Sequence, residues 1–127
     1  MKKKLITTRV LAGGIRRHTL VGAVDVPEED YVRAIKKHFT RFGSRSLHLL
    51  DCGEIRWISE ETSRAIVDVH KRLAKKGRKL VISTGDNPAR YLQYNATFAP
   101  ERVRVCRTEE EAKRELLPGV VKNRKRG

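Results

Sequence analysis

The sequence predicts an α/β domain: a single-layer, mostly parallel sheet of about five strands with helices packed on it, in the order β-β-α-β-α-β-α-β-α. Three observations predict it. Short apolar runs alternate along the chain with segments whose apolar residues recur at helical spacing. Helical segments open on capping residues or proline, and two of them stop at glycines. The run Ser46 to Cys52 is continuous and apolar-leaning, as befits a strand covered on both faces. The 127 residues fit one domain. It is expected over residues 1–119, with 120–127 as a basic, flexible tail.

The elements follow in order. Leu5 to Leu11 alternates as a strand and ends at Gly13-Gly14. Arg17 to Val24 is the second, with Thr19, Val21 and Ala23 on one face and Leu20 and Val24 near the other. The two form a hairpin. Pro27-Glu28-Glu29-Asp30 starts a helix, because proline suits the first turn and acids there face the positive end of the dipole. Its stripe is Tyr31, Ile35, His38, Phe39 and Phe42, and Gly43 ends it.

After the central strand, Ser59 opens a second helix. Its hydroxyl accepts from a first-turn N–H, and Glu60 and Glu61 follow. Thr62, Ala65, Ile66, Val69 and Leu73 form the inward stripe; Arg64, Asp68, Lys71, Arg72 and Lys75 face out, and Gly77 stops the helix. Lys79 to Ser83 is a strand. Asn87-Pro88 caps and starts a short helix through Tyr94, Val103 to Cys106 is the last strand, and Thr108-x-x-Glu111 is a capping box for a helix ending near Leu117.

The least ordinary feature is charge: +14 at neutral pH, with 29 Lys and Arg against 15 Asp and Glu. The basic residues cluster near the amino end, at Lys71, Arg72, Lys75 and Lys76, and in the tail. Such a balance points to an anionic partner, nucleic acid or acidic protein, or to a solvated coat. No apolar run nears the roughly twenty residues of a membrane span. Met1 to Leu5 leads into no secretory apolar stretch. The expected location is the cytoplasm.

No catalytic or metal constellation stands out, and no cofactor is expected. Cys52 and Cys106 cannot form a four-thiolate site and read as reduced core residues, with a reactive Cys52 thiol the lesser alternative. His38, on an apolar stripe, and His48 read as packing residues rather than ligands. Of the candidates His48, Asp51, Cys52 and Asp25, the pair His48 and Cys52 lies about 13 Å apart along an extended strand, too far to hydrogen-bond. No glycine-rich phosphate loop is present. An enzyme is not expected.

The segment Leu49-Leu50-Asp51-Cys52-Gly53-Glu54-Ile55-Arg56-Trp57-Ile58-Ser59, running into His70-Lys71-Arg72-Leu73-Ala74-Lys75-Lys76-Gly77 and Lys79-Leu80-Val81-Ile82, resembles the STAS domain family. That family includes the anti-sigma factor antagonists. Val21-Gly22-Ala23-Val24-Asp25 is similar to the family's Gly-x-Leu-Asp, and Asn87 to Leu92 and Thr108 to Ala112 resemble its last two helix starts. The likeness covers about nine-tenths of the chain as element order and apolar positions, without an invariant catalytic signature. It implies a non-catalytic regulatory module that docks a protein partner, such as a serine kinase that is itself an anti-sigma factor. The implied docking surface is the switch loop: Asp25, Trp57, Ser59, Glu60, Glu61 and Thr62.

In the family an aspartate precedes a phosphorylatable serine at the second helix. Here Ser59 falls at the aspartate position and Glu60 at the serine position. A phosphate would bring a charge of about −1.5 to −2 to a helix start that favours anions, and Glu60 brings about −1 permanently. The resemblance therefore implies either a state fixed near the phosphorylated one or a chain that has left this regulation. A one-residue shift makes Ser59 the phosphoacceptor; the plain reading makes it a helix cap. Trp57 divides between core packing and an interface anchor. The +14 charge departs from the family's regulators. It keeps open the alternative of a small nucleic-acid-binding domain using Lys71, Arg72, Lys75 and Lys76, although aromatic residues are only 6% and no base-stacking motif is present.

Overall fold

The computed structural model describes residues 4–22, 26–42, 45–55 and 57–117. Asp25, Gly43 and the tail 120–127, each singled out from sequence, lie outside the described residues.

A hairpin starts the sheet: β1 (Ile6–Val10) pairs antiparallel with β2 (Arg16–Leu20) across a tight turn at Ala12–Gly14. Three crossovers follow, through α1 (Glu28–Phe42) to β3 (Leu47–Asp51), α2 (Glu60–Lys75) to β4 (Lys79–Ser83) and α3 (Pro88–Phe98) to β5 (Arg104–Cys106). The strands lie in the order β1-β2-β3-β4-β5, and β2 through β5 are parallel. Successive parallel crossovers of one hand place their helices on one face. The main core accordingly joins Ile35 and Phe39 of α1, Ile66 and Val69 of α2 and Phe98 of α3 to Leu20, Leu50 and Ile82 of the sheet. The last helix, α4 (Glu109–Leu116), covers the opposite face with Ala112 and Leu116 against Leu49 and Val81. Leu49 and Leu50 are both fully buried, on opposite faces of β3, so the apolar-leaning run does mark the doubly covered strand.

The expected fold class and element order are those observed. Helix starts match the capping arguments. Ser59 Oγ accepts from the Thr62 N–H at 3.1 Å, Asn87 Oδ1 from the Arg90 N–H at 3.1 Å, and Thr108 Oγ1 from the Glu111 N–H at 3.1 Å. The return bond of the capping box shifts by one residue, Glu111 Oε2 taking the Arg107 N–H at 3.2 Å.

Three readings are corrected. The second strand ends at Leu20 rather than Val24, and its buried side chains are His18 and Leu20. Past its end the chain turns to the next connection: the Gly22 N–H goes to Glu54 Oε1 at 3.1 Å, and a Cβ at Gly22 would stand 2.7 Å from the Glu54 carbonyl oxygen. The third helix runs to Phe98, four residues past Tyr94, because Tyr94 and Phe98 are both fully buried, one helical turn apart. And Trp57 is 65% exposed, which removes the core reading of its indole.

Candidate functional site

The parallel strands β2, β3 and β4 end at Leu20, Asp51 and Ser83, and the loops beyond them form one edge of the molecule. Ligands of open α/β sheets collect at this edge. The carboxylate of Asp51 fixes the first turn: Oδ1 accepts the Gly53 N–H at 2.9 Å and Oδ2 the Thr19 hydroxyl at 3.4 Å. Glu54 Oε1 then takes the Gly22 N–H at 3.1 Å, tying the loop after β3 to the loop after β2. On the other side Arg90 Nη1 donates to the carbonyls of Gly53 (2.7 Å) and Thr84 (3.2 Å), which ties it to the loop after β4. Tyr94 donates from its hydroxyl to the Ile55 carbonyl at 3.1 Å. The connection from β3 to α2 is thus held from both flanks.

Between these loops runs a groove. Its floor is Leu20, Ile58 and Thr62, its walls Glu28 and Tyr31 of α1 and Glu54, Ile55 and Trp57 of the connection. Tyr31 is oriented by donating its hydroxyl proton to the Val21 carbonyl at 2.6 Å. The Trp57 ring stands at the rim in solvent, a large apolar surface left out of an otherwise well-formed core.

At the start of α2 the sequence-predicted residues separate into two groups. Ser59 and Thr62 are buried, and both hydroxyls donate to Oε1 of Glu28, reaching across from α1. From sequence, Glu28 is an acid at the start of its own helix and nothing more. It lies in the acidic first turn of its own helix, and only the packing of α1 on α2 turns it toward the Ser59 and Thr62 hydroxyls. Glu60 and Glu61 are exposed, with Glu60 Oε1 held 2.6 Å from Arg64 Nη2 one turn on. The groove therefore presents the indole of Trp57 and the exposed Glu54 to solvent, with Glu60 and Glu61 exposed on the adjoining first turn of α2, and keeps its hydroxyls inside.

A second polar cluster, unforeseen in the sequence, lies under α1. His48 Nε2 is 2.8 Å from the Arg45 carbonyl, His48 Nδ1 is 2.9 Å from His18 Nε2, and His18 Nδ1 is 2.7 Å from His38 Nε2. Thr8 Oγ1 closes on both His18 Nδ1 (3.0 Å) and His38 Nε2 (2.9 Å). The carbonyl can only accept, so His48 carries its proton on Nε2, His18 on Nε2 and His38 on Nε2, each neutral ring donating to the next acceptor. Burial leads the causes that hold all three below the usual histidine range, His18 down to about 2 and His38 to about 4, with the neighbouring imidazoles and Arg16 adding to it at His18 and Arg41 at His38. Two nitrogens on one tetrahedral zinc ion stand about 3.4 Å apart. A spacing of 2.7 Å is instead that of a hydrogen bond, so His38 and His48 pack here as members of an ordered chain with His18.

The cysteines are free and buried, and burial pushes the Cys52 thiol well up, away from the thiolate a nucleophile needs. Lys71, Arg72, Lys75 and Lys76 are exposed at the far end of α2, remote from the groove. No described helix is long and apolar enough to cross a membrane.

No family profile matches the sequence, and no curated protein does. Among solved structures the chain is similar to a candidate anti-sigma factor antagonist of Thermotoga maritima. That crystal structure superposes with a TM-score of 0.66 at 15% identity, over 87% of this chain and 93% of that one. The solution structure of the protein TM1081 gives 0.66 at 14% identity, over 91% of each chain. The fold is STAS-like.

Proposed function

We propose that this chain is a non-catalytic STAS-type regulatory module that binds a protein partner through the groove at the start of α2. The observation that carries the reading is Trp57. An indole 65% exposed, on a connection held from both flanks, fits a rigid aromatic anchor whose burial a partner would complete. The STAS-like fold supports the class of partner: an anti-sigma factor, a serine kinase or a comparable regulator. The exposed carboxylates of Glu60 and Glu61 and that of Glu54 favour a basic contact on the partner.

Within this reading Glu60 stands in permanently for a phosphoserine. Ser59 serves as the helix cap, because its hydroxyl is committed to Glu28 and to the Thr62 N–H. Asp25 is assigned to the same surface.

Affinity capture from the source cells, with mass spectrometry and nuclease treatment, tests the proposal. The expected result is a protein recovered by the wild-type chain, insensitive to nuclease and lost with Trp57→Ala. Recovery undiminished by Trp57→Ala contradicts the assignment of the groove. Intact-mass analysis of the chain from its own cells tests the role of Ser59; a stoichiometric phosphate there overturns it.

A further inference from the structure

The charge of this molecule is divided by the fold. The helices α1 and α2 both run from the groove edge to the opposite edge of the sheet, because each follows one parallel strand and precedes the next. They pack side by side on one face. Their acidic first turns therefore meet at the groove, and their carboxyl ends meet at the far edge. The bond from the Lys79 N–H to the Ser46 carbonyl, 2.9 Å long, brings the turns that follow the two helices together as well.

Residues 36–42, 45–47 and 69–79 hold ten Lys and Arg and no Asp or Glu, so this edge carries most of the +14 charge. Helix α1 exposes Lys36, Lys37 and Arg41, and the turn after it exposes Arg45. Helix α2 exposes Lys71 and Lys75 in one row, about 6 Å apart along the axis, and Arg72 beside them, and its C-cap Lys76 is exposed as well. Among the described residues these lysines are in no ion pair, whereas Arg33 and Arg64, nearer the groove, are paired on their own helices. Cations at a helix end complement about half a negative charge per helix, which accounts for one or two of them.

We propose that this edge is a nucleic-acid docking surface that grips the phosphate backbone, separate from the groove. The chemistry favours nucleic acid over an acidic protein or a lipid surface. The exposed large apolar side chains of the described residues are Val10, Trp57 and Leu92, and none belongs to α1, α2 or the turns after them. A protein interface needs a buried apolar core, and an inserting membrane surface needs apolar side chains. A dense, wholly polar, unbalanced cationic edge is the composition of a backbone-binding interface. Without base-stacking aromatics on it, the binding is independent of sequence.

The test is fluorescence anisotropy of a labelled random-sequence DNA duplex with the intact chain, titrated over a salt series. Binding is expected at low salt, with log affinity falling linearly with log salt. The variant Lys71→Gln, Arg72→Gln, Lys75→Gln, Lys76→Gln is expected to lose roughly tenfold or more in affinity and to flatten the slope by about 0.9 per lost phosphate contact. These side chains are exposed, so circular dichroism of the variant should match the wild type. Trp57→Ala is expected to bind the duplex unchanged, which separates this surface from the groove. No binding at low salt, a quadruple variant with undiminished affinity, or tighter binding to phosphatidylserine vesicles or polyglutamate than to DNA at equal salt each overturns the proposal.

Discussion

Single residues set the response of this fold to acid. His18, His38 and His48 stay uncharged when folded, while in the unfolded chain each titrates near 6.5. Below that value the unfolded chain binds protons that the folded one excludes. Stability is therefore full above about pH 6.5 and falls as the pH drops, through about 4 for His38 and on toward 2 for His18. The fall is at most about 1.4 kcal/mol per pH unit for each histidine, and His70, also held down by burial, acts in the same direction. Urea unfolding at pH 7.5, 6 and 5 checks this; a flat profile contradicts the neutral chain. At the groove, Ser59→Ala removes the cap of α2 and a donor to Glu28, and is expected to cost about 1–2 kcal/mol in the same assay. Gly22→Ala is expected to destabilise by about 1–3 kcal/mol, because its Cβ would meet the Glu54 backbone rather than a side chain that can move aside.

At the scale of elements, what was legible in the sequence follows from how local each signal is. Ser59, Asn87-Pro88 and Thr108 announce three helix starts because a cap and the N–H it accepts lie three residues apart. The stripe of α2 could be read because one face of one helix carries it. The end of β2 could not: Val21 continues the alternation, while the next N–H, that of Gly22, goes to Glu54, 32 residues away. The histidine chain was hidden for the same reason. His18 reads as a polar interruption in a strand, and its partners come from 20 and 30 residues further on. Glu28 and the two hydroxyls it accepts from belong to different helices, and Trp57 could have packed either way until the groove had walls. Thr108→Ala tests the local class of signal: it should cost about 1 kcal/mol and fray α4 without disturbing the groove, since α4 lies on the opposite face.

At the scale of the molecule, the fold has two ends of opposite character. The crossovers align α1 and α2, so residues well separated in sequence become an acidic, aromatic-rimmed groove at one edge and a basic edge at the other. The sequence showed the charge but counted it in linear clusters, which joined Lys71 to Lys76 and missed Lys36, Lys37 and Arg41 beside them. Glu60 stays exposed on the first turn of α2, beside the groove residues Ile58 and Thr62, with its carboxylate paired to Arg64. Glu60→Ser is expected to change partner affinity at the groove and leave DNA anisotropy unchanged.

Trp57 is the one tryptophan of the chain, so its fluorescence reports the groove without a label. In the free protein its emission should be that of a water-exposed indole, readily quenched by acrylamide. Addition of the captured protein partner should shift the emission to shorter wavelength and shield it from the quencher. A partner that binds and leaves Trp57 as open to acrylamide as before would show that recognition happens elsewhere on the molecule.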